Sequence, residues 1–120
     1  MKIKVNDATL IQLNWMVAKA EGIGLGPRGF VVYYHEGEPA PWQPTTDWAQ
    51  GGPIIGREGI GLLKVENRLP HQQWDAGETD EFPNTLWAVV SGPTPLIAAM
   101  RCYVASKLGD TVELPQDLIN

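Results

Sequence analysis

No stretch limits the fold more than residues 94–109. Thr94-Pro95 opens it with an N-cap residue and a proline suited to the first helical position, and Gly109 closes it. Between them, Leu96, Ile97, Ala99, Met100, Tyr103, Val104 and Leu108 cover most of a helix circumference. Only Arg101, Ser106 and Lys107 are polar there. A helix apolar on nearly every side cannot lie on a surface. It predicts a core helix, and the remainder of a 120-residue chain must supply the sheet that covers it.

That cover is read from the period of the flanking segments. Residues 1–5 alternate Met, Ile and Val with lysines, the pattern of a half-buried edge strand. Asn6 or Asp7 offers an N-cap for a helix over 8–21 that ends at Gly22. Leu10, Leu13, Met16, Val17 and Ala20 share one face of it, with Ile11, Trp15 and Ala18 on the other. Either the helix is buried on two faces, or Trp15 is a contact for a partner protein or a second copy of the chain. Residues 30–35 are rich in β-formers and predict a strand, followed by a turn over 36–39. Short strands are expected at 54–55, 60–65, 86–90 and 111–114, and an exposed loop over 66–85. The expectation is a small α+β single domain spanning 1–120, a mostly antiparallel sheet packed against two helices.

Charge and composition narrow the function. Net charge is −5 and the pI near 4.9, with the nine basic residues scattered, which argues against general nucleic-acid binding. No apolar run is long enough to cross a bilayer, and the first residues lack the apolar core of a signal peptide. The lone Cys102 excludes an internal disulfide framework and lies in an apolar helical stretch, which predicts a buried thiol. The expected location is the cytoplasm. His35 and His71 stand apart with no metal-ligand spacing around either, and neither a metal nor a cofactor pattern is present. Gly22-Ile23-Gly24-Leu25-Gly26-Pro27-Arg28-Gly29 follows a helix and lacks a Gly-Lys-Ser/Thr ending, so it is read as a connection rather than a phosphate loop. Ser91-Gly92 lacks the Gly-x-Ser-x-Gly frame of a nucleophile elbow, while Pro93 and Pro95 remove two amides. That junction between strand and helix stays a candidate ligand position.

The richest stretch is residues 42–55, Trp-Gln-Pro-Thr-Thr-Asp-Trp-Ala-Gln-Gly-Gly-Pro-Ile-Ile. Its glycines and prolines argue against a strand and its two indoles against a solvated linker, which predicts an ordered loop. Asp47 either caps a turn in its own backbone or accepts hydrogen bonds from a ligand on which Trp42 or Trp48 stacks. The candidate ligand-binding set is Trp42, Thr45, Thr46, Asp47, Trp48, Gln50, Gly51 and Gly52, with Arg28 or Arg57 meeting a phosphate. This set suits a small nucleotide-like ligand. With no nucleophile–base pair in view, binding is expected rather than catalysis.

Residues 44–55 with Arg57-Glu58, and the second stretch Gly-Pro-Thr-Pro-Leu-Ile-Ala-Ala-Met-Arg-Cys-Tyr-Val over 92–104, resemble the two signatures of NinX-like phage and prophage proteins. The opening strand, the helix and its Ala-Lys-Ala-Glu-Gly ending fit as well, so the resemblance covers essentially the whole chain. Gly56 departs from it, standing where an acidic residue is expected in many relatives. The resemblance implies phage or prophage origin, life inside a bacterial host and an accessory rather than a virion role. It brings no catalytic residues. A looser similarity links the Thr…Asp…Trp loop to small phage anti-defence proteins that sequester nucleotide-derived signals. The implied function is sequestration of a small nucleotide-like ligand; the alternative is an interaction module that modulates a host protein through Trp15, Trp74 and the acidic 66–85 segment.

Overall fold

A computed structural model describes residues 1–24, 34–78 and 90–119. Among them the fold is α+β, with antiparallel strand pairing and three α-helices instead of the two expected. The chain divides into two compact units, Met1–Gln43 with Val104–Asn120, and Pro44–Tyr103. Each is taken by itself.

In the first unit the lysine-flanked opening strand β1 (Lys2–Lys4) pairs antiparallel with β7 (Thr111–Glu113), and Ile3 stands opposite Val112. The period-2 pattern holds: Val112 is buried, and Lys2 and Lys4 face water. The helix α1 (Leu10–Glu21) starts later than the sequence suggests, because Val5–Asp7 forms a 3₁₀ turn. The cap is Thr9 and not Asn6 or Asp7. Its hydroxyl accepts from the Gln12 amide at 3.2 Å, and the Gln12 side chain accepts from the Thr9 amide at 3.0 Å. This reciprocal box satisfies two amides at once, which a lone Asn or Asp cap cannot match. Gln12 Nε2 also donates to the Leu118 carbonyl at 2.7 Å, tying the cap to the C-terminal segment.

Leu13, Trp15, Met16, Val17 and Ala18 are buried, so α1 is covered on two faces beyond its first turn, whereas Leu10 and Ile11 remain exposed. Trp15 is a core residue at 6% exposure, which removes it as a partner contact. Lys19 lies 5.5 Å above its ring centroid. The C-cap is Gly22, as expected. The described part of the predicted 30–35 strand is β2 (Tyr34–His35), which pairs with β3 (Glu38–Pro39); residues 30–33 lie outside the described set. The turn is therefore shorter than 36–39. It consists of Glu36 and Gly37, both at positive φ, 52° and 82°, the backbone of a tight hairpin.

In the second unit, a three-stranded antiparallel sheet runs in the order β4 (Ile60–Lys64), β5 (Trp74–Glu78), β6 (Val90–Gly92). The central strand β5 was expected to be loop. Trp-Asp-Ala-Gly-Glu has few β-formers, but two neighbours satisfy its backbone and Arg68 forms an ion pair with the buried Asp75. Within the expected 66–85 loop, Pro70–Gln72 is a 3₁₀ turn that leaves His71 exposed; residues 79–85, like 86–89 of the next predicted strand, lie outside the described set.

The helix α3 (Pro95–Leu108) behaves as its composition demands. Leu96, Ile97, Ala98, Ala99, Met100, Cys102, Tyr103 and Val104 are all buried. Thr94 caps it, its hydroxyl accepting from the Ile97 amide at 3.1 Å. Residues 95–103 belong to the second unit and 104–108 to the first. A Cβ at Gly92 of β6 would stand 2.8 Å from the Ala98 amide nitrogen, so strand and helix touch backbone to backbone there. Arg101 reinforces the junction by donating to the Ser91 carbonyl at 2.9 Å.

The Arg68–Asp75 pair has unequal ends. Asp75 is 7% exposed while the Arg68 side chain is 39% exposed and can turn to water. Arg68→Ala strands a buried carboxylate and is expected to cost about 2 kcal/mol; Asp75→Ala frees an arginine to solvent and is expected to cost about 1 kcal/mol. Urea denaturation of both variants measures this order.

Candidate functional site

The predicted loop at 42–55 is in its second half a helix. α2 (Trp48–Glu58) contains Gly51, Gly52, Pro53 and Gly56, which together cost roughly 6 kcal/mol in helix propensity. Its existence is owed to its ends and its packing. Asp47 is the N-cap, its carboxylate accepting from the Ala49 amide at 2.9 Å and its carbonyl from the Gly51 amide at 2.9 Å. Gly59, at φ 68°, closes the C-terminus in a left-handed conformation. Ile54 is 2% exposed, and Gly51, one turn before it on the same face, is buried too. The expected strand at 54–55 is thus helix. Its inward stripe was hidden because one of the inward positions is a glycine.

Gly51 is there because nothing larger fits. An added Cβ would lie 2.5 Å from Leu96 Cδ1 and 2.6 Å from the Pro44 carbonyl oxygen. Gly52 faces elsewhere, and its Cβ would meet the Trp48 ring at an ordinary 3.9 Å. The close approach at Gly51 sets the start of α2 beside the start of α3. Between the two helix starts is a part-open cleft of about 220 Å³, lined by Thr45, Thr46, Trp48, Thr94, Pro95, Leu96 and Ile97. Thr45 and Leu96 form buried walls, and Trp48 is 53% exposed, a large indole left facing solvent at the rim.

Of the residues expected to bind a ligand, Thr45, Thr46 and Trp48 come together in this cleft. Asp47 sits between two of them in sequence and serves as the cap, the first of the two roles open to it. Gly51 and Gly52 shape the helix behind the cleft, and Gln50 lies on its first turn. Trp42 belongs to the first unit, where its indole N–H donates to the Asn14 carbonyl at 2.8 Å. Arg57 lies near the far end of α2, about 13 Å along the axis from Trp48 at 1.5 Å per residue. There it bonds Glu58 at 2.8 Å and the Tyr103 hydroxyl at 3.3 Å. Arg28 lies outside the described residues. The wall formed by Thr94–Ile97 was legible only as a strand-to-helix junction. The signal was the Thr-Pro opening of α3; its partner across the cleft could not be read without the fold.

Both helix starts are partly closed to an anion. Asp47 occupies the Ala49 amide, Thr94 occupies the Ile97 amide, and Pro95 has none to give. No titratable side chain is among the described residues lining the cleft. No group of acidic, histidine or cysteine side chains among the described residues could hold a metal ion, and no helix among them is long and apolar enough to cross a membrane.

Fold and cleft together define an α+β protein that carries, among its described residues, a small uncharged groove between the N-termini of two helices. Over residues 4–107 the chain matches the family described as Bacteriophage P22, NinX, and it belongs to that family. The match takes in both stretches that form the cleft walls, the Pro-Thr-Thr-Asp-Trp start of α2 and the Thr-Pro-Leu-Ile start of α3. No curated protein matches the chain by sequence.

The two adjacent glycines provide a test of this packing. Gly51→Ala must displace backbone as well as Leu96 and is expected to cost about 2 kcal/mol, whereas Gly52→Ala should be neutral or stabilise by up to about 1 kcal/mol. Thermal melts of the two variants read the contrast.

Proposed function

We propose that this phage protein is a binder rather than an enzyme, and that it holds a small nucleotide-like ligand in the cleft between α2 and α3, sequestering a signal of the host. The observation that carries the reading is Trp48, an indole 53% exposed at the rim of a cleft whose other polar groups are threonine hydroxyls. An exposed indole costs solvation unless something flat covers it, and stacking a base on such a ring is worth about 1–3 kcal/mol. The described lining contains no acid, base or thiol to move a proton or attack a bond, which favours holding a ligand over transforming it.

The alternative, an interaction module for a host protein, loses Trp15 to the core. What favours it instead is Ile11 on α1, 70% exposed beside Leu10 at 42%. The two readings predict different sensitive residues.

Native mass spectrometry of the protein purified from phage-infected cells, before and after denaturation, tests the first reading. A small mass that leaves on denaturation is expected in the wild type and in Ile11→Ser, and absent in Trp48→Ala. Trp48 is the preferred substitution because Asp47→Ala also removes the α2 cap, at about 1 kcal/mol. No released mass from infected cells, or one retained in Trp48→Ala, overturns the reading.

A further inference from the structure

Resting on that reading, we infer that the part of the ligand the cleft recognises is its neutral, planar base, a nitrogen heterocycle of purine size, and that phosphate contributes little. Size comes first. A cavity of about 150 Å³ admits benzene, and drug-sized ligands occupy about 300 Å³ or more. At about 220 Å³ the cleft has room for one fused ring system and not for a whole nucleotide. Its walls are the second ground. Trp48, Pro95, Leu96 and Ile97 present flat or aliphatic surface. The hydroxyls of Thr46 and Thr94 can each donate one hydrogen bond and accept another, matching the mixed donor and acceptor edge of a base. A sugar would call for the carboxylates and amides that recognise a ring of hydroxyls, and none is among the described lining residues.

Charge is the third ground, and it points away from phosphate. The described lining carries no cation, and the carboxylate of Asp47 lies in sequence between lining residues Thr46 and Trp48. Of the first-turn amides, that of Ala49 is engaged by Asp47 and that of Ile97 by Thr94, while Pro95 has none. Arg57, the nearest cation along α2, is committed to Glu58 and Tyr103 at the other end of the helix. A phosphate carried on the sugar of the bound base meets no cation among the described lining residues and extends into solvent. Stacking and two threonine hydroxyls carry the recognition.

The test is calorimetry on the whole chain with adenosine, guanosine, cytidine and uridine, their 5′-monophosphates, and phenol, in about 0.05 M and about 0.5 M salt. At least one purine nucleoside should bind, its monophosphate within about threefold of it, with affinity nearly independent of salt because no charge pair is screened. Trp48→Phe should keep binding within about tenfold and Trp48→Ala lose it; Thr46→Val should weaken the nucleoside about fivefold and leave phenol unaffected. A monophosphate tenfold or more tighter than its nucleoside, binding that fades with salt, or phenol binding as well as any nucleoside overturns the inference. If infected cells yield a ligand that depends on Trp48 but no nucleoside binds, this inference falls and the sequestration reading stands. If neither is found, both fall.

Discussion

Everything at the candidate site depends on the absence of a side chain at Gly51. A helix packed against another at ordinary distance would leave Leu96 and the Pro44 carbonyl well clear of it; here an added methyl would overlap both. The close contact lets α2 begin beside α3, and the cleft is the space that remains between the two helix starts. A chain optimised for helix stability would not place Gly51, Gly52, Pro53 and Gly56 in one short helix. Their presence is understandable if the approach of α2 to Leu96 were worth more than propensity.

The same economy appears in the caps. Asp47 and Thr94 are ordinary N-cap residues, and both stand beside the cleft because both helices begin there. A helix start usually offers amides and a positive dipole to an anion. Here caps, and in α3 a proline, take up part of the first turns, and the described lining offers shape and stacking surface without charge.

Behind the cleft the scaffold is held by contacts that tolerate little change. Gly92 brings β6 against the backbone of α3, Arg101 bonds the Ser91 carbonyl beside it, and Arg68 neutralises the buried Asp75 in the central strand. These interactions hold the sheet and the start of α3 in one arrangement, so the Thr94–Ile97 wall is presented by a fixed base. Such a pre-formed groove avoids the ordering cost that a loop-built site meets on binding.

The sequence by itself determined the elements whose signals are local. The buried helix α3 with its Thr94 cap and Gly109 stop, the strands β1 and β7 taken singly, the strand β4 and the burial of Cys102 all follow from period, capping residues and composition. Thr45, Thr46 and Trp48 were recognisable as a group because indoles and hydroxyls are rarely spent together on a linker. What only the tertiary structure decided were the features that local chemistry opposes. The glycines and proline of α2 spoke for a loop until Ile54, Gly51 and two caps outweighed them, and the polar β5 spoke for a loop until two neighbouring strands and Arg68 satisfied it. Trp15 looked available to a partner and Trp42 to a ligand, yet one is buried and the other bonded to Asn14. Long-range contacts add several kcal/mol where propensity subtracts it, and no window of neighbouring residues contains them.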